Sequence, residues 1–219
     1  MQPATPSPGQ PQLPQQLDPG HVDALDHDAR VSDIELSDAA LVDQHANGVT
    51  FGTAKLDRVD VSGSRLEHLR IVDGVLSGCN LANVYGRGTH MKRVSIENSR
   101  LTGIDLAEGT LSDVTIRDCR TDLASFGFCH LERVTFEGCV LVQTDFLEAK
   151  LDAVRFHRCD LTRADFRGAR LKRCAFRASN LTGLEGVESL RGAAMDWPGI
   201  VEMAGVWAAA LGIEILDAD

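Results

Sequence analysis

From Phe51 onward an apolar residue returns at every fifth position. Phe51, Leu56, Val61, Leu66, Ile71, Leu76 and Leu81 open a column that runs to Leu181, broken only at Gly86 and Thr121. The frame extends backwards through Ala46, Leu41, Leu36 and Val31, and it takes seven of the eight phenylalanines. A second column, two residues earlier, holds small or β-branched side chains such as Ala54, Val59, Val94, Val114 and Ala164. All six cysteines fall there: Cys79, Cys119, Cys129, Cys139, Cys159 and Cys174. A period of five fits neither the 3.6 of a helix nor the 2.0 of a strand. A five-residue side of a coil can hold both columns in register, if the central residue and the one two before it point inward.

The units Ala164-Asp165-Phe166-Arg167-Gly168, Ser179-Asn180-Leu181-Thr182-Gly183, Cys159-Asp160-Leu161-Thr162-Arg163 and Cys79-Asn80-Leu81 resemble the pentapeptide-repeat family, whose unit reads A-[DN]-[LF]-x-x. The resemblance covers residues 29–183, which is 31 units without an insertion. It implies a right-handed quadrilateral β-helix, an all-β solenoid with four units per coil. At roughly 4.8 Å between strands, such a rod has about 7–8 coils and a length of about 37 Å. Independent support for a 20-residue coil comes from Cys79, Cys119, Cys139 and Cys159, which differ by multiples of 20, with Ser99 and Ser179 on the neighbouring rungs. Those residues are expected to stack in one interior corner. A ladder of small buried side chains explains them; a metal or redox column is the alternative.

Six of the seven prolines lie in the first 19 residues, among glutamines and small residues. That composition buries no core, so residues 1–28 are expected to form a disordered arm. Residues 184–219 read as a cap over the open sheet edge at the end of the rod. There Asp196 is placed to cap a helix with Pro198 in its first turn. Ile200, Val201, Met203, Ala204, Val206, Trp207 and Leu211 give an apolar stripe, and Gly212 suits the helix end. Ile213-Glu214-Ile215-Leu216 is expected to add a short strand. Trp197, Val201, Trp207 and Leu211 are the candidate cap and homodimer contacts. The net charge of -10 divides as -4 over residues 1–28, 0 over 29–183 and -6 over 184–219. No run of ~18 apolar residues would cross a membrane. The start has neither the basic nor the apolar region of a secretory signal. A cytoplasmic chain with free thiols is expected.

With 20-residue coils the outward residues sort onto four faces. One is basic, with Arg70, Lys92, Arg93, Arg133, Lys150, Arg170, Lys172 and Arg173. One is acidic, with Glu67, Asp105, Glu108, Asp145, Glu148 and Asp165. Phe128 is the one phenylalanine outside the core column, and it occupies an outward slot with Leu123, Val140, Val142 and Leu147 in consecutive coils. Contiguous exposed apolar surface marks interfaces, so these five are the candidate protein interface. Nucleic acid is disfavoured as a partner, because the basic face lacks exposed aromatics that could stack bases. No nucleophile elbow, Walker loop or H-E-x-x-H is present. His90 and His130 share a face but lie two coils, about 10 Å, apart, too far for one zinc. A regular solenoid is expected to offer no deep pocket, no cofactor site and no catalytic constellation. The expectation is a non-enzymatic, protein-binding scaffold of unspecified partner. The alternative carried by the resemblance is a DNA-mimic protein that binds DNA gyrase and protects it from quinolones, as some family members do.

Overall fold

A computed structural model describes residues 6–216. Fourteen strands lie among the described residues: β1 (Asp18–Pro19), β2 (Arg30–Ser37), β3 (His45–Asn47), β4 (Thr50–Asp57), β5 (Arg65–Glu67), β6 (Arg70–Ser77), β7 (His90–Glu97), β8 (Thr110–Arg117), β9 (His130–Glu137), β10 (Lys150–Asp152), β11 (Arg155–His157), β12 (Arg170–Lys172), β13 (Ala175–Arg177) and β14 (Ala194–Met195). A 3-10 turn (Val187–Leu190) and one helix, α1 (Trp197–Ala210), accompany them. Strands pair in parallel, and from β2 to β13 each residue faces the one 20 positions on: Phe51 opposite Ile71, Ile71 opposite Met91, Met91 opposite Leu111. Short bridges on the remaining sides keep the same offset, as in Asp105 to Ser125 and Ser125 to Asp145. The product is a right-handed quadrilateral β-helix of about nine turns.

The corners explain the period of five. Every fifth residue from Asp28 to Gly183 has left-handed backbone geometry, without a gap. At each the chain turns, and at many of them the N–H donates to a carbonyl of the next coil, for example Leu123 N to Val142 O at 2.9 Å. Glycine occupies eight of these corners, and aspartate or asparagine nine more. Those residue types tolerate this conformation best.

Between corners the central column and the column two before it point inward and form one continuous core. In the C-terminal half this core is aromatic. Phe126, Phe146 and Phe166 stack at 5.3 and 4.7 Å, and Phe136, Phe156 and Phe176 stack at 5.2 and 4.9 Å. The two columns meet edge to face at 5.7–6.2 Å. Opposite faces thus carry rings, while Leu131, Leu141, Leu151 and Leu161 fill the other two. The N-terminal half is largely aliphatic and leaves a gap of about 30 Å³ among Leu36, Leu56, Ile71 and Leu76. Thr121, a break in the apolar column, is buried with its hydroxyl donating to Val140 O at 2.9 Å. The six cysteines are free and buried, and the 20-residue column holds Cys79, Cys119, Cys139 and Cys159 with Ser99 and Ser179, as where Cys79 N donates to Ser99 Oγ at 3.0 Å.

Both ends depart from the sequence reading. The stack extends beyond the 29–183 frame, because Asp18 pairs with Ile34, and Ala194 with Ala175. These end turns span 16 and 19 residues, so they fall outside a strict five-residue frame, and the coil count rises above 7–8. The arm expected to be disordered lies, over residues 6–28, against the rod: Leu25 is buried and its N–H donates to Gln44 Oε1 at 3.0 Å. Asp196 caps α1 through Gly199 N at 3.2 Å, as expected. The short strand expected at residues 213–216 is not formed; β14 supplies the last rung, and Ile213, Ile215 and Leu216 are exposed.

Candidate interaction surfaces

A solenoid with its core filled can act only through its faces, corners and ends. On the basic face, the cations divide into two sets. Arg93 is held by Asp73 and Arg133 by Asp113, each through two hydrogen bonds of 2.6–2.8 Å, and Arg133 also contacts Glu132. Lys172 and Arg173 share Asp152. Arg70, Lys92, Lys150 and Arg170 are exposed with no ion pair among the described residues. The solenoid was expected to offer no deep pocket; this face carries an open depression of about 560 Å³ lined by His130, Glu132, Lys150, Asp152, Arg170 and Lys172. Its charge is mixed, and no group of three metal-ligating side chains exists among the described residues.

The acidic face is similarly diluted. Glu67 pairs with Arg65, Glu108 with Arg87 and Asp165 with Arg167. Asp105, Asp145 and Glu148 carry no ion pair among the described residues. Asp105 and Asp145 lie on one ladder with Ser125 between them, continued by Asp165 and Glu185. Asp145 accepts from Ser125 Oγ at 3.1 Å and Leu147 N at 2.7 Å.

The apolar set assembles around this ladder. Leu123 and Phe128 are corner residues, at φ 60° and 59°, flanking the side centred on Phe126. They are 58% and 48% exposed, although both are large and apolar. Phe128 N donates to Leu147 O at 2.8 Å, and Leu123 N to Val142 O at 2.9 Å, so each sits beside its apolar neighbour in the next coil. Val140, Val142 and Leu147 are half-buried. Left-handed geometry costs a side chain such as leucine about 1–2 kcal/mol, and exposure forfeits burial. Folding therefore gains little from either residue; Leu123 and Val142 lie on one side of the ladder residues Ser125 and Asp145, and Phe128 and Leu147 on the other.

At the C-terminal end α1 buries Met203 and packs Val206 and Trp207 partly on the core. Trp197, Val201 and Leu211 face outward, with Trp197 75% exposed. The four cap residues chosen from the sequence thus separate: Trp207 holds the helix down, and the other three are open.

These features define a parallel β-helical rod with a capped C-terminal end and charged and apolar side chains along its sides. The family model described as a pentapeptide repeat region matches residues 122–185. Those residues are a pentapeptide repeat region, and the same five-residue corner repeat runs unbroken from residue 28. No curated protein is similar to it in sequence. Among solved structures it is similar to HetL, a pentapeptide repeat protein involved in heterocyst differentiation regulation from the cyanobacterium Nostoc, at 18% identity and a TM-score of 0.45, over 77% of this chain and 90% of that one. It is also similar to QnrB1, a plasmid-mediated fluoroquinolone resistance protein, at 15% identity and a TM-score of 0.42, over 92% of this chain and 97% of that one. The fold assignment rests on the coil register itself. No helix among the described residues is long and apolar enough to cross a membrane.

Proposed function

We propose that the protein is a non-enzymatic scaffold that binds a protein partner through the patch of Leu123, Phe128, Val140, Val142 and Leu147. The observation that supports this is the placement of two large apolar side chains at the left-handed, exposed corners flanking one side. A partner that fits presents an apolar knob ringed by Lys or Arg, which Asp105, Asp145 and Glu148 receive. Interface cores built this way derive most of their energy from a few aromatic or aliphatic anchors. The reading places the protein in a reducing compartment such as the cytoplasm, consistent with six free cysteines. The test compares wild type with Leu123→Asn/Phe128→Asn as bait, with circular dichroism to show both folded. A partner retained by wild type and lost by the variant supports the patch; the same bound set on both baits refutes it.

A second reading, a duplex-DNA mimic that binds DNA gyrase, is favoured by the acidic ladder through Asp105, Asp145, Asp165 and Glu185. It predicts inhibition of gyrase supercoiling, or relief of quinolone inhibition, that disappears in Asp105→Asn/Asp145→Asn. On either reading the outward Trp197, Val201 and Leu211 offer a homodimer contact. In that case Trp197→Asp gives monomers by light scattering with unchanged melting; a wild-type protein that is already monomeric removes the dimer.

A further inference from the structure

The arm at the start of the chain walks along the outside of the rod before entering it. Arg155 donates to Ser7 Oγ at 3.3 Å, Gly9 N to Asp113 Oδ1 at 2.9 Å, and Gln12 N to Asp73 Oδ1 at 2.9 Å; the chain then joins the first rung as β1. Asp113 and Asp73 belong to one corner column and are 40 residues, two coils, apart. That distance is about 9.6 Å. Gly9 and Gln12 are three residues apart and each follows a proline of the series Pro8, Pro11 and Pro14. A polyproline-II helix has three residues per turn and rises about 3.1 Å per residue, so its period is about 9.3 Å. One turn of such a helix therefore matches two rungs of the solenoid, and the same face of the arm meets an aspartate at each turn. Prolines lack an N–H, which leaves the amide after each proline to make the contact. The prolines also fix the extended geometry in advance and reduce the entropy lost on docking.

The receiving side is built for this. Arg93, on the intervening rung, and Arg133, one coil beyond Asp113, each grip the aspartate 20 residues earlier through two hydrogen bonds. They orient its carboxylate, and Oδ1, which accepts from the arginine Nε, also accepts the arm's amide. Arg58 and Asp38 make the same two-bond pair at another corner, and there the Asp38 side chain is 65% exposed. Asp73 and Asp113 are only 12% and 14% exposed. Next to this corner the outward positions Val75, Ser95, Thr115 and Thr135 are small, and Ser95 is buried although it points away from the core.

The geometry points to a polyproline-II recognition site on the corner ladder of Asp73, Arg93, Asp113 and Arg133, whose resident ligand is the P-x-x-P-x-x-P segment of this chain's own arm, Pro8 to Pro14. The site reads spacing rather than side chains, since its contacts go to backbone amides.

The test is site-resolved amide exchange on the full chain. Gly9 and Gln12 should exchange at least ~10-fold slower than Gln10 and Leu13, since each donates to a charged acceptor. Asp73→Ala and Asp113→Ala should each release the amide they hold; Ala153 occupies the same corner column, so alanine folds there. Asp73→Asn, which keeps an acceptor, should retain part of the protection. One residue inserted between Gln10 and Pro11 should break the match and free one of the two amides. Uniform fast exchange across residues 7–16 would overturn the site. So would protection that survives Asp73→Ala/Asp113→Ala or the insertion.

Discussion

Two phenylalanines 18 positions apart should respond in opposite ways to removal. Phe146 is fully buried, stacked on Phe126 and Phe166 and edge-on to Phe136 and Phe156. Truncating a buried phenylalanine to alanine costs about 3–5 kcal/mol, through lost transfer energy and the cavity left behind. Four ring neighbours place Phe146→Ala at the upper end, because each aromatic pair adds about 0.5–1.5 kcal/mol. For a chain of this length that corresponds to a fall in Tm of roughly 10 °C or more. Phe128 is half exposed at a left-handed corner. Phe128→Asn gives up about 1–1.5 kcal/mol of partial burial and recovers about 1 kcal/mol of backbone strain, since asparagine adopts this conformation readily. The net change should lie within about 1 kcal/mol of zero. Urea and thermal unfolding of both variants beside wild type decide the matter. A loss above about 2 kcal/mol for Phe128→Asn would show that the corner residue is structural, and the argument for an interaction patch would fail. A loss below about 1 kcal/mol for Phe146→Ala would refute the stacked core.

Burial pushes the thiols of Cys119 and Cys129 up to about 12 and that of Cys174 to about 11. At pH 8 a disulfide reagent should therefore leave these three unmodified in the native protein and titrate six thiols after denaturation; rapid native labelling of Cys119 or Cys129 contradicts the ladder. The Arg93 guanidinium beside Asp73, and that of Arg133 beside Asp113, hold both carboxyls below the usual range. A lowered carboxyl contributes stability above its ordinary value, about 3.9, and loses it as the pH falls through the lowered one. Protection of the Gly9 and Gln12 amides should accordingly persist at pH 5–7 and fade below about pH 4; loss near pH 6 would implicate a histidine instead.

The apolar column from Val31 to Leu181 and the small column beside it already determine the coil of four sides, because no other backbone geometry returns two inward positions every five residues. The same columns show which side chains are outward, so the basic, acidic and apolar sets were legible without coordinates. Their electrostatic meaning was not. Half of the acidic set is matched by arginines within its own coil or the next, as Asp165 is by Arg167, and such pairing depends on which side chains turn toward each other. The end rungs were also hidden: β1 and β14 pair across 16 and 19 residues, so periodicity cannot register them. The arm shows the division most clearly. Its composition offers nothing to bury, and read alone it belongs to the disordered class. Only the folded rod brings Asp73 and Asp113 to a spacing that a polyproline turn can meet. Local periodicity is a property of the chain and can be counted along it; a match between two separate stretches exists only once one of them has a fixed shape.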